Sequence, residues 1–211
     1  MKKLGIALMT AGILLVIVST SWAAPYDHVS VGDVVRLTAY NGSNNAGEMD
    51  WENTSPDDTW TTFCLEKDDG EVLSSDLTTT YTVYAISNQT YGANSGDGDT
   101  DNDVLSYETA WLYYSFRNGT LTDYDSSDQD QTDLQNLIWD LEDEIDYGTY
   151  NTQMKNWYDA ARAANWDSYN GVKVLSLGNE YQDVLIIQTP TNQVPLPGAV
   201  WLLGSGLLGL V

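Results

Sequence analysis

The chain of 211 residues is poor in three residue types that often carry chemistry or binding: it has one cysteine, one histidine and only eight basic residues. A single cysteine excludes the intramolecular disulfides that staple small secreted domains. A cysteine hydrolase needs a histidine to take the thiol proton, and no motif around His28 marks a catalytic pair. We therefore expect Cys64 to be a buried inert residue, one half of an intermolecular disulfide, or part of a different chemistry.

The shortage of basic residues leaves a strong negative charge. Thirty-one acidic residues oppose the eight basic ones, and the formal net charge at pH 7 is −23. Such a surface repels nucleic acid and anionic membranes, so we expect no nucleic-acid partner. Solubility alone accounts for this charge, and cation binding is the alternative.

The first 23 residues have the layout of a cleaved secretory signal. Lys2 and Lys3 precede an apolar run from 4 to 18, and the exit sequence SWA follows at 21–23. We expect signal peptidase to cut after Ala23. The cut removes two lysines and no acidic residue, so the mature chain is more acidic still.

The C-terminal end carries a second sorting element. After a polar linker from residue 190, VPLP at 194–197 precedes an apolar run from 198 to 211, which is shorter than the roughly 20 residues that span a bilayer. This arrangement resembles the PEP-CTERM sorting signal, in its VPLP variant, which Gram-negative bacteria present to an exosortase. The resemblance implies a protein secreted by, or held at the cell surface of, a Gram-negative bacterium, with exosortase and signal peptidase as processing partners. Members end in an arginine-rich tail, and this sequence stops at Val211 before one, so we expect a truncated signal.

The residues between the two sorting elements, 24–189, are expected to form one domain. Five runs rich in Trp, Tyr, Thr and Val are typical of strands, and they cover 29–40, 59–66, 80–87, 172–177 and 182–188. Apolar residues recur at three- and four-residue intervals between about 104 and 166, which predicts helices over 104–117, 133–145 and 150–166. We therefore predict an α+β fold, mainly β, in which a β-sandwich carries a small helical subdomain.

Two short motifs occur in order, TFCLE at 62–66 on a predicted strand and LQNLIW at 134–139 on a predicted helix. Cys64, together with Gln135, Ile138 and Trp139, resembles the thioester domain of bacterial surface adhesins, whose glutamine motif is roughly Thr-Gln-x-Ala-aliphatic-Trp. Leu134 and Leu137 stand where that motif has Thr and Ala. The larger Leu137 would change the packing beside the bond. The resemblance spans about residues 30 to 190.

The resemblance implies a specific chemistry for Cys64 and Gln135. In that family the cysteine sulfur and the glutamine side-chain carbonyl form an internal thioester, which a lysine of a partner opens to leave an amide. Applied to this chain, it implies a single-use covalent binder that is not an enzyme, with an amine-bearing protein or surface ligand as its partner. It implies no cofactor.

On a helix, Gln135 and Trp139 are four residues apart and share a face. We expect Trp139, with Ile138 beside it, to shelter the thioester from water, while ordinary packing of a large aromatic ring is the alternative. The predicted core stripe next to that face consists of Leu134, Leu137, Leu141 and Ile145. The residues that suit the N-terminus of the helix are Asp130, Thr132 and Asp133.

An acidic stretch before the first predicted helix has the spacing of a calcium loop. The residues at its first, third, fifth, seventh and twelfth positions are Asp97, Asp99, Asp101, Asp103 and Glu108. Asn102 replaces the usual glycine, and no helix precedes the loop. Calcium binding is therefore one interpretation, and a solvated acidic loop is the other.

The aromatic content admits a function of another class. Eight Trp and 14 Tyr could supply stacking platforms for sugar rings in a non-covalent carbohydrate or exopolysaccharide-binding matrix module. Core packing is the alternative use of these rings. Binding to a glycan would be reversible and indifferent to Cys64, whereas thioester capture would be irreversible and would require it.

Overall fold

The computed structural model describes residues 26–41, 47–54, 57–67, 76–90, 103–178 and 181–189. The predicted signal at 1–23 and the predicted sorting segment at 190–211 lie outside these ranges. Within the ranges, no helix combines the length and the apolar character that crossing a membrane requires.

The strands of the described residues form two antiparallel sheets. The first sheet has the order β3-β2-β1-β4 and consists of β1 (Val34–Tyr40), β2 (Met49–Thr54), β3 (Asp57–Thr62) and β4 (Thr80–Thr82). The second has the order β5-β6-β7 and consists of β5 (Ala85–Ser87), β6 (Val172–Ser176) and β7 (Val184–Ile187).

Three helices lie between β5 and β6 in the chain: α1 (Tyr107–Arg117), α2 (Asp128–Leu141) and α3 (Thr152–Ala164). Each begins after a residue whose side chain accepts a hydrogen bond from a backbone N–H of the first turn, namely Ser106, Ser127 and Asn151. All three helices fall between 104 and 166. The predicted α+β fold with a helical insert is therefore confirmed.

The second sheet is the middle of three layers. Along β6 and β7, one set of alternate side chains packs against the helices, and it comprises Val172, Val174, Leu185 and Ile187. The other set packs against the first sheet, and it comprises Leu175, Val184 and Ile186. Because both faces of this sheet are covered, β7 is an uninterrupted apolar run that is buried at every position.

The predicted strands differ from the observed ones at several places. The predicted strand 59–66 ends as β3 at Thr62, so Cys64 lies beyond the strand on which it was predicted. The predicted strand 80–87 is two strands, because the chain leaves the first sheet after β4 and enters the second at β5. Around this change, the Val83 N–H donates to Asp33 O at 2.9 Å and the Tyr84 N–H donates to Ser176 O at 2.8 Å. β2 was not predicted because charged residues alternate with its buried ones.

The second helix also differs from its predicted bounds. It begins at Asp128, so that Thr132 and Asp133 lie inside it and only Asp130 is in the first turn. It ends at Leu141, since Glu142 is the C-cap and Asp143 has a left-handed φ of 62°. Ile145 therefore lies beyond the helix, where it packs against the core between the two sheets rather than against the helical core.

A buried ion pair ties the first described residues to α1 and β7. Arg117 Nη2 donates to Asp27 Oδ1 at 2.7 Å, and the Ile187 N–H donates to Asp27 Oδ2 at 2.7 Å. Burial raises the pKa of Asp27, while Arg117 opposes that shift. The carboxylate thus connects three elements that are distant in the sequence.

Gly171, just before β6, lies too close to the end of β7 for any side chain. A Cβ at this position would stand 2.3 Å from Gln188 O, and the residue has a φ of +91°. We expect Gly171→Ala to lower the free energy of unfolding by about 3 kcal/mol, from backbone strain and the clash together. Urea denaturation measures the change.

Gly178→Ala is the matched control, because its φ is +99° and nothing lies within 4 Å of the added Cβ. Strain alone should cost this variant about 1 kcal/mol. Equal losses in the two variants would show that the contact with Gln188 does not matter.

Candidate functional site

Cys64 lies where the chain crosses from the first sheet to the second. After β3 ends at Thr62, the next residues pair with the start of β7: the Leu185 N–H donates to Phe63 O at 3.3 Å, and the Leu65 N–H donates to Asp183 O at 2.9 Å. Cys64 itself forms an isolated bridge with Val184. The residue is 4% exposed, so its thiol is enclosed by protein.

Gln135 reaches the same point from the helical layer. It lies in the middle of α2 and is 1% exposed. Two leucines of the same helix, Leu134 and Leu137, pack into the core between the helices and the second sheet. This packing fixes the rotation of α2 about its axis and directs the face that carries Gln135 towards Cys64.

The Gln135 carboxamide makes two hydrogen bonds with the backbone of Cys64. The Cys64 N–H donates to Gln135 Oε1 at 3.0 Å, and Gln135 Nε2 donates to Cys64 O at 2.8 Å. Both ends of the carboxamide are therefore assigned, because a reversed amide would set two donors and two acceptors against each other. The backbone N–H and C=O that hold the carboxamide belong to the same residue as Sγ. Rotation about the Cα–Cβ bond of Cys64 therefore changes the position of Sγ relative to the carboxamide.

The thiol of Cys64 contacts two further side chains. Sγ donates to Gln182 Oε1 at 3.3 Å and lies 3.8 Å from Met49 Sδ. Burial raises the pKa of the Cys64 thiol to about 12, and the nearby Glu66 carboxylate adds to the shift. The thiol is therefore neutral at pH 7.

The other predicted residues of the site lie in different cores. Trp139 is buried in the core between the sheets, to which Cys64 also belongs, whereas Ile138 is buried in the core between the helices and the second sheet. The Trp139 indole N–H has no hydrogen-bond partner within the described ranges. Its position is thus set by packing.

The sole histidine does not join the site. The His28 side chain is 74% exposed and lies 3.5 Å from Asp58 Oδ2 through Nδ1. The buried thiol and this exposed ring have no hydrogen bond between them among the contacts of the described residues. This placement agrees with the exclusion of a cysteine–histidine pair.

The predicted calcium loop is only partly described. Asp97, Asp99 and Asp101 lie outside the described residues, Asp103 is exposed, and Glu108 stands in the first turn of α1. No group of three or more His, Cys, Asp or Glu side chains in the described ranges could hold a metal ion. Calcium binding stays a prediction, which calorimetric titration at millimolar calcium tests.

Gln182, like Met49, contacts the thiol and was not predicted from the sequence. It is 7% exposed and directly precedes the aspartate that leads into β7. The available signal was a polar residue next to an entirely apolar strand. That pattern is also typical of an ordinary loop, so it does not distinguish a buried amide from an exposed one.

Comparisons with known proteins find a distant likeness in structure. No known family model matches this chain, and no curated protein matches it. The chain is similar to the N-terminal thioester domain of the fibronectin-binding protein SfbI from Streptococcus pyogenes. The identity is 12%, the TM-score is 0.48, and the match covers 76% of this chain and 95% of that one.

The raised thiol pKa gives a prediction for any variant in which Cys64 remains a free thiol, such as Gln135→Ala. At pH 8 the folded variant should react with iodoacetamide at least about tenfold more slowly than the same chain in urea, because less thiolate is present. The alkylation rate of the folded protein should keep rising with pH through the range in which an ordinary thiol has already ionised. Equal rates in the folded and the urea-unfolded chain would contradict the burial of this thiol.

Proposed function

We propose that the protein forms an internal thioester between Cys64 Sγ and Gln135 Cδ and uses it to bind amine-bearing targets covalently at a cell surface. The observation that carries the proposal is the pair of hydrogen bonds that hold the Gln135 carboxamide against the Cys64 backbone. These bonds satisfy the backbone of Cys64, and they also hold an amide carbonyl group beside the residue that carries the thiol. The paired amide supplies the second component that thioester chemistry requires.

Formation of the bond balances without an added base or oxidant. Sγ attacks Cδ of Gln135, the Cδ–Nε2 bond breaks, and the thiol proton goes to Nε2, which leaves as ammonia. Because the thiol is neutral at pH 7, its own proton is available to the leaving group. The products are an acyl thioester and ammonia, with no change in oxidation state.

The backbone of Cys64 supports this reaction at the oxygen where charge develops. The Cys64 N–H already donates to Gln135 Oε1 at 3.0 Å, and Oε1 becomes the oxyanion of the tetrahedral intermediate. A fixed donor at that distance in a buried site stabilises the developing charge. The same hydrogen bond would polarise the thioester carbonyl for the later attack by an amine.

Capture of a target replaces the thioester with an amide. A primary amine attacks Cδ of residue 135, the Cδ–Sγ bond breaks, and a proton from the amine returns to sulfur. The partner is then joined to α2, and Cys64 is a free thiol again. Since the glutamine nitrogen has been lost, each molecule reacts once, and the protein acts as a binder and not as an enzyme.

Intact-mass measurement of the purified domain tests the proposal. We expect the protein to be lighter than its sequence by one ammonia. Methylamine should replace this deficit with an excess of one CH2 group and free one thiol, which alkylates once the chain is unfolded in urea. Cys64→Ala and Gln135→Ala should each have the full mass of their sequences.

Gln129→Ala is the matched control, because Gln129 is an exposed glutamine on the same helix. It should keep the mass deficit. Full sequence mass in the freshly folded native protein, with Cys64 alkylated in urea in the absence of amines, would contradict the thioester proposal. Reversible glycan binding that survives Cys64→Ala would then favour the carbohydrate-binding alternative.

A further inference from the structure

The side chain of Gln182 lies between the thiol and the chain that follows it. Its Nε2 donates to Glu66 O at 3.0 Å and to Lys67 O at 2.9 Å. Its Oε1 accepts from Cys64 Sγ at 3.3 Å. This amide therefore contacts the backbone on one side and the reactive sulfur on the other.

The two carbonyl contacts decide which end of the amide faces sulfur. A reversed amide would place Oε1 next to the carbonyl oxygens of Glu66 and Lys67. Three acceptors would then face one another without a donor. The observed orientation gives both N–H groups an acceptor. It follows that an oxygen, and not an N–H donor, faces Cys64 Sγ.

An acceptor in this position has a definite effect on the thiol. A thiol has a single hydrogen, and Gln182 Oε1 at 3.3 Å is a stronger acceptor for it than the thioether Met49 Sδ at 3.8 Å, so the lone pairs of sulfur point away from Gln182. The hydrogen bond also limits rotation about the Cα–Cβ bond of Cys64. Both effects restrict how sulfur can approach a carbonyl carbon.

Formation of a thioester would change what Gln182 contacts. Thioester sulfur carries no hydrogen, so Oε1 would lose its donor while its position, 7% exposed, stays almost closed to water. A buried acceptor without a donor is unfavourable. An N–H of an amine that approaches the thioester carbonyl could supply the missing donor.

We propose that Gln182 is a positioning residue, which holds the Cys64 thiol for bond formation and then receives an N–H of the attacking amine beside the thioester. This inference rests on the proposed function. It assigns Gln182 Oε1 two successive donors, the thiol first and the target amine second. The target class is a primary amine, since that group retains an N–H for Gln182 after one proton has moved to sulfur.

Infrared spectroscopy of the S–H stretch tests the first contact, because the single cysteine gives a single S–H band. In Gln135→Ala, where no thioester can form, the band should lie below that of a small thiol in alkane. Adding Gln182→Met should move it to the position of a free thiol. Adding Gln182→Glu should leave it low, because a buried carboxyl in its neutral form keeps an oxygen acceptor for the thiol and donates its O–H to Glu66 O or Lys67 O.

Kinetics test the second contact in the chain that retains Gln135. Gln182→Met should slow the reaction with methylamine by about tenfold, as expected for one lost hydrogen bond, while Gln182→Glu should react faster than Gln182→Met. A general loss of packing would slow both variants alike and would leave the S–H band unmoved by the choice of side chain.

The outcomes separate this inference from the proposed function. If the native chain has no mass deficit, the thioester proposal fails, and the S–H band still reports whether Gln182 holds the thiol. If the deficit is present but Gln182→Met changes neither the band nor the methylamine rate, the role of Gln182 is overturned. Should Gln182→Met not fold, a free-thiol band in Gln135→Ala alone would overturn it equally.

Discussion

The carboxamide of Gln135 gives the backbone of Cys64 one acceptor and one donor. A neighbouring strand supplies the same pair of partners to an ordinary residue of a sheet. Cys64 needs such a partner because its chain has left the first sheet and meets the second at a single bridge. Buried backbone groups without partners are costly. The helical layer thus supplies, through one side chain, the hydrogen bonds that the crossing between the sheets would otherwise lack.

The second sheet makes this arrangement possible by packing on both faces. Its helix-facing side chains hold α2 in place, and its other side chains form the core to which Cys64 belongs. The position of Gln135 relative to Cys64 is therefore fixed by two cores and not by one loop. Sites that rest on packed elements keep their geometry better than sites on loops.

Much of the fold could be predicted from the sequence, because periodicity reports burial directly. The helices stood out since their apolar residues recur at helical intervals, and β7 stood out as a short apolar run. The missed β2 shows the limit: Asp50 and Glu52 alternate with buried Met49 and Trp51, and Glu52 also accepts a hydrogen bond from Arg36 on the neighbouring strand. A charged residue with a cross-strand partner is compatible with a strand, but its presence in the sequence does not predict one.

Only part of the candidate site could be predicted from the sequence. Cys64 is the single cysteine of the chain, and Gln135 stands in a recognisable motif, so both could be identified from the sequence alone. Gln182 could not, since its importance depends on which end of its amide faces sulfur and which end faces two carbonyls. Amide orientation is a property of the surroundings and leaves no trace in residue spacing.

The separation of 71 residues between Cys64 and Gln135 gives the proposed bond a thermodynamic side. A covalent link across that span would close a large ring in the unfolded chain and remove conformational freedom from it, which in the chain-entropy picture stabilises the folded state by about 4 kcal/mol. Reaction with a partner opens the ring. The domain would therefore lose this stabilisation when it binds its target covalently. Its melting temperature would then be lower after the reaction than before it.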